Sequence, residues 1–125
     1  IPMAQLPRFP LIIPGRMQGM NQLIRGAAAR HNIHLNVVVE VDAVAEMIGL
    51  AEQGLGYTIL APMGYRRGLE AGKVSVARIV DPPLLRTLVS ATAASRPISP
   101  ATRLVLELAH SILSQYIADT SGGAA

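Results

Sequence analysis

The sequence predicts an α/β domain built on a mainly parallel sheet flanked by helices, and the stretch from Leu35 to Pro62 carries that prediction. Val37, Val38, Val39 and Val41 are β-branched and suit a pleated strand. So continuous an apolar run points to burial on both faces. Val44, Met47, Ile48, Ala51 and Leu55 then recur at the spacing of one helix face. A second apolar run, Tyr57 to Leu60, follows the Gly54-Leu55-Gly56 break. Two apolar strands joined by one helix cannot form a hairpin, so they make a parallel, right-handed βαβ unit.

The ends of these elements have their own chemistry. Asp42 offers a carboxylate where the helix begins, as an N-cap. Gly54 supplies the positive φ that commonly ends a helix, and Gly56 leaves room before the next strand.

Ahead of this unit, Ile1 to Arg8 is interrupted by Pro2 and Pro7 and is expected to be an extended lead-in. Phe9 to Ile13 is a short apolar run bounded by Pro10 and Pro14, an edge or entry strand at most. After the Pro14-Gly15-Arg16 turn, Met20, Leu23, Ile24, Ala27 and Ala28 form a helical stripe, and Asn32 is a suitable stop. Beyond the βαβ unit, Pro62 to Gly72 reads as a short helix and Val74 to Val80 as a strand ended by Asp81-Pro82-Pro83. Leu84 to Ala94 alternates loosely, as a strand would. Ser99-Pro100 starts a last helix, with Leu104, Val105, Leu108, Ile112, Leu113 and Tyr116 as its apolar stripe to Ile117. The tail, residues 118–125, should be disordered.

Composition narrows the function. The 125 residues suffice for one compact domain, and half are hydrophobic. One Phe, three Tyr and no Trp cannot build a stacking platform for single-stranded nucleic acid. The net charge of +3 comes from scattered arginines, weak support for direct DNA binding. The absence of Cys excludes disulfides, thiolate catalysis and Cys-ligated zinc, and it fits a cytoplasmic location. No apolar run is long enough for a membrane span. The chain opens at Ile1-Pro2 and not at an initiator Met, as expected of a piece of a longer protein.

Motifs for catalysis or cofactors are weak. Gly54 and Gly56 end a helix and enter a strand, the reverse of a dinucleotide fingerprint. His31 and His34 flank a helix stop without a third ligand, and are expected to be solvated turn residues. Glu40 and Asp42 share one side of a strand, but no nucleophile motif lies near them. Catalytic residues, metal sites and cofactors are therefore not expected. The more informative segment is Pro14-Gly15-Arg16-Met17-Gln18-Gly19, a turn leading into a helix N-terminus that can hold an anion, with Arg16 adding a forked contact. Asp42-Ala43-Val44 is a second strand-to-helix turn, and ligands of parallel α/β domains sit at such strand ends.

The series PLIIPGR, LNVVVEVD, AVAEMIGLAEQGLGYTILAP and LVSATAASRPISPATRLVLELAHSIL resembles the C-terminal part of LysR-type transcriptional regulators, from about Leu6 to about Gln115. Within that family, PGRMQGMNQLIRGAAARHNIHLNVVVEVD is most similar to the nitrogen-assimilation-control branch. The resemblance implies an effector-binding domain of the type 2 periplasmic-binding-protein fold, two α/β lobes with a small inducer between them. Residues 9–81 would form the second lobe, and 82–117 would return to the first lobe as its last strand and helix. The family's effector-contact turn falls on Pro14, Gly15, Arg16, Met17 and Gln18, with Asp42, Ala43, Pro62 and Met63 lining the same cleft.

The implied protein is a non-enzymatic, cytoplasmic regulator that binds an anionic small-molecule effector and works as a homodimer or higher oligomer. It would contact DNA only through a winged helix-turn-helix outside this chain. A solute-binding receptor of a transport system shares the fold and is the alternative. Most of the first lobe lies outside the chain, so these 125 residues alone should bind inducer weakly or not at all. Micromolar affinity by calorimetry would contradict that.

Overall fold

A computed structural model describes residues 1–62, 64–65 and 71–122, with the side chains of 119–122 left aside. It divides into two compact units, residues 1–86 and residues 87 onward.

The first unit is organised around β1 (Leu11–Ile13), which lies between β2 (Val37–Glu40) and β3 (Tyr57–Thr58) in an all-parallel sheet of order β2-β1-β3. The expected edge strand is thus the central one. Pro10 and Pro14 had pointed to an edge because proline cannot donate to a ladder. Both stand just outside the strand and serve it through their carbonyls or not at all. Leu11 N–H donates to the Asn36 carbonyl at 2.7 Å, and Tyr57 N–H to the Pro10 carbonyl at 2.8 Å. The Ile13 carbonyl accepts from Val41 N–H at 3.0 Å.

All three β1 side chains are buried, the hallmark of a parallel strand covered on both faces. Leu11 and Ile13 pack with Ile24 of α1 (Gly19–Arg30) and with Phe9, Leu35 and Ile59. Ile12 faces the other way, where α2 (Val44–Glu52) packs on β1 and β3 and Met47 is fully buried. Each such side chain contributes roughly 1.5–3 kcal/mol. The burial expected for Val37 to Val41 is not found: Val37 is half-buried, Val38 and Val39 are exposed. Among the described residues β2 is an edge strand, and α2 packs on β1 and β3, so the sheet's shielding falls on β1 instead.

The βαβ arrangement is parallel as expected, but β2 and β3 do not touch; β1 separates them. The helix stops are those the sequence indicates. Asn32, at φ 54°, closes α1 with Ile33 N–H on the Ala28 carbonyl and Asn32 N–H on the Ala29 carbonyl. Gly54, at φ 74°, closes α2 in the same way, through Leu55 N–H on Leu50 and Gly54 N–H on Ala51.

Three expectations are corrected. The extended lead-in is a 3-10 helix, Met3–Arg8, whose three-residue repeat turns Met3 and Leu6 into the core beside Ala27. Val74 to Val80 is not a strand but a single parallel bridge, Val80 to Pro2, fixed by Met3 N–H on the Val80 carbonyl at 2.8 Å. Leu84 to Ala94 is likewise irregular, with Leu85 and Val89 exposed. A strand exists only with a partner to pair with, and neither segment has a strand beside it among the described residues. The helix expected over Pro62 to Gly72 lies largely outside the described residues.

In the second unit, α3 (Pro100–Gly122) starts as predicted, with Thr102 N–H donating to Ser99 Oγ at 3.1 Å. It runs past Ile117 to Gly122, because Ala118 to Ser121 contain no helix breaker. Residues 123–125 lie outside the described residues. Of the expected stripe, Leu113 and Tyr116 are half-buried, while Leu104, Val105, Leu108 and Ile112 are exposed.

Two glycine substitutions should move stability in opposite directions. A Cβ on Gly56 would lie 2.8 Å from the Pro10 carbonyl oxygen and 3.1 Å from Ile12 Cδ1, so Gly56→Ala should cost about 1–3 kcal/mol. A Cβ on Gly49 meets nothing within 4 Å inside α2, so Gly49→Ala should add about 0.5–1 kcal/mol. Urea midpoints at unchanged slope check both.

Candidate functional site at the sheet rim

Because the three strands are parallel, the chain leaves each at the same edge of the sheet. β1 passes through Pro14–Gln18 into α1, and β2 through Val41–Ala43 into α2. The exit from β3 leads to Pro62, where Gly64 N–H donates to the Ala61 carbonyl at 2.8 Å. Of the residues singled out from the sequence, Pro14 is buried and Gly15 half-buried. Arg16, Met17, Gln18, Asp42, Ala43 and Pro62 are exposed. Met63 lies outside the described residues. The structure brings Gly15 and Asp42 together: a Cβ on Gly15 would run into Asp42 Oδ1 and lie 3.2 Å from its Cγ. No hydrogen bond or ion pair joins Pro62 to the other two turns among the described residues.

Neither helix N-terminus at this rim is capped by a side chain, but the first turn of α2 carries Glu46. Gln18 caps α1 with backbone only, and no acidic residue occupies its first turn. Ala43, not Asp42, is the N-cap of α2, and it too lacks a side-chain bond to the helix. The expectation for Asp42 fails by one position. A capping side chain must come from the residue flanking the first turn, and Asp42 stands one residue further out with its carboxylate against Gly15. Uncapped N–H groups and the positive ends of two helix dipoles lie at one edge, unopposed in the first turn of α1 and offset by Glu46 in that of α2. An anionic ligand group fits that field.

A polar chain behind the turn was not foreseen. Asn21 is 2% exposed, inside the apolar stripe of α1. Its Nδ2 donates to the Pro14 carbonyl at 2.6 Å, and its Oδ1 accepts from Arg25 Nε at 3.0 Å. Arg25 Nη2 donates in turn to Glu40 Oε1 at 2.7 Å. The signal was available: Asn21 precedes Ile24 and Ala28 by three and seven residues, so an amide had to be satisfied on a core-facing stripe. The chain ties the end of β1, the first turns of α1 and the end of β2 into one framework. Asn21→Ala leaves the buried Pro14 carbonyl without its donor and should cost about 1–3 kcal/mol. Thermal melts should show the loss, and hydrogen exchange should show it concentrated at residues 14–25.

A family model described as the LysR substrate binding domain matches residues 1–113. The HTH-type transcriptional regulator BbuR of Bordetella bronchiseptica is 33% identical over 87 residues, which is 70% of this chain and 27% of that protein. The chain spans about a quarter of the length of this curated relative. No solved structure matches. No helix among the described residues is long and apolar enough to cross a membrane. With its parallel sheet, flanking helices and a match over most of its length, the chain belongs to the LysR substrate-binding-domain family.

Proposed function

We propose that this chain is the ligand-sensing part of a LysR-type transcriptional regulator, and that the rim of its sheet is half of the effector site. The observation that carries the reading is the meeting of two uncapped helix N-termini with the exposed Arg16 in a chain of this family. Pro14, Gly15, Arg16, Met17 and Gln18 form the principal contact turn, Asp42 and Ala43 the second, and Pro62 and Met63 the third. The ligand class that suits them is a small anion, bound through backbone N–H groups and the Arg16 guanidinium. Residues 9–81 would supply the second lobe, and residues 82–117 would belong to the first.

The mechanism is a population shift. An effector that binds one lobe arrangement better raises its share, and the subunit interface passes the change to DNA-binding domains elsewhere in the protein. In this reading the protein is cytoplasmic, catalyses no reaction and belongs to the nitrogen-assimilation-control branch. It acts as a dimer or higher oligomer. The exposed apolar side chains of α3, Leu104, Val105, Leu108 and Ile112, suit a surface that is covered in the assembled protein.

The reading is tested at two levels. The codons upstream of Ile1 should encode a winged helix-turn-helix followed by a linker helix; a signal peptide there would contradict a regulator. In the full-length protein, Arg16→Ala should weaken the response to inducer about 10-fold or more in a reporter assay, and an unchanged dose–response would remove Arg16 from the site.

A further inference from the structure

Glu40 ends β2 and holds two arginines on one carboxylate oxygen. Arg25 Nη2 donates to its Oε1 at 2.7 Å, and Arg16 Nε lies 3.7 Å from the same atom. The two are held differently. Arg25 is fixed by its Nε bond to Asn21, which is itself fixed on the Pro14 carbonyl. Arg16 stands on the turn with a side chain 80% exposed, beyond hydrogen-bond distance of Glu40, and has no other partner among the described residues.

We propose that Glu40 is the charge-selectivity residue of the candidate site, the internal counter-ion from which an anionic ligand takes Arg16. The proposal rests on the reading of Arg16 as an anion contact. Arg25 already pairs with Glu40 through a short hydrogen bond, so releasing Arg16 leaves no carboxylate bare. An exposed, loosely held pair is screened by water and salt, so its release costs no more than about 5-fold in affinity. The carboxylate therefore tunes the site without closing it. Its charge also limits what the site accepts. Each negative charge on a ligand meets the same carboxylate, so a second charge meets that repulsion twice. Glu40 thus lowers the preference for doubly over singly charged anions that Arg16 and the helix N-termini would give without it.

The test uses the full-length protein with acetate as the single charge and sulfate as the double charge. NMR titration at low and high salt compares wild type, Glu40→Gln, Glu40→Asp and Arg16→Ala. Glu40→Gln should tighten acetate about 3-fold and sulfate about 10-fold at low salt, and the gap should shrink as salt rises. A merely structural role for Glu40 would not move that ratio. Glu40→Asp keeps the charge but, one methylene shorter, draws the shared oxygen back from both arginines, and should tighten both anions about 2-fold. It serves as the deciding variant if Glu40→Gln melts early. If Arg16→Ala abolishes binding while neither Glu40 variant changes the affinities or their ratio, the selectivity role is overturned and the Arg16 reading stands. If wild type and Arg16→Ala bind both anions alike, or neither binds, the Arg16 reading falls and the proposal with it.

Discussion

The burial of Leu11, Ile12 and Ile13 is the constraint on which the rest of the first unit depends. Three apolar side chains can leave water on both faces of a strand only if the backbone between them is paired on both edges. β2 and β3 provide that pairing, and the flanking Pro10 and Asn36 carbonyls extend it. Gly56 is small because β3 must approach the Pro10 carbonyl closely, and Met47 is buried because α2 must cover the face that Ile12 presents. The parallel sense of the sheet is therefore a packing result, and the placement of the site follows from it.

Once the strands run parallel, the loops that leave them share an edge, and both described helices of this unit direct their N-termini there. Charges of both signs gather at the edge: Arg25 and Glu40 are bonded to one another, Arg16 stands near them on the surface, Asp42 lies against Gly15, and Glu46 occupies the first turn of α2. Asn21 connects this surface group to the core, since its amide is buried among apolar residues and bonded to the carbonyl that ends β1. Stability and the proposed ligand contact would thus share the Pro14–Gln18 turn, and a change in one is expected to be felt in the other.

What the sequence made legible were features fixed by local chemistry. The period of α1 and α2, the positive φ at Asn32 and Gly54, the room at Gly56 and the Ser99-Pro100 start are each set by a few neighbouring residues. Features decided by distant partners were not legible. Pro10 and Pro14 disguised the central strand as an edge, because sequence does not tell which side of a proline the ladder begins. Val38 and Val39 looked buried and are exposed, since among the described residues β2 lies at the edge of the sheet and α2 covers β1 and β3. The segments 74–80 and 84–94 have strand composition without a strand to pair with. At the site, the Pro14–Gln18 turn was legible from its chemistry. The Asn21–Arg25–Glu40 chain was not, because it joins residues on different elements, and Asp42 was misassigned by a single residue at the start of α2.

The proposed anion-receiving edge formed by the N-termini of α1 and α2 is tested most directly by an amide chemical-shift titration of the full-length protein with its inducer, or with sulfate until the inducer is known. Perturbations should be concentrated at Arg16–Asn21 and Asp42–Glu46, saturating together with one apparent affinity. Perturbations centred on α3, or two sets of amides that saturate separately, would contradict a single site at the sheet rim.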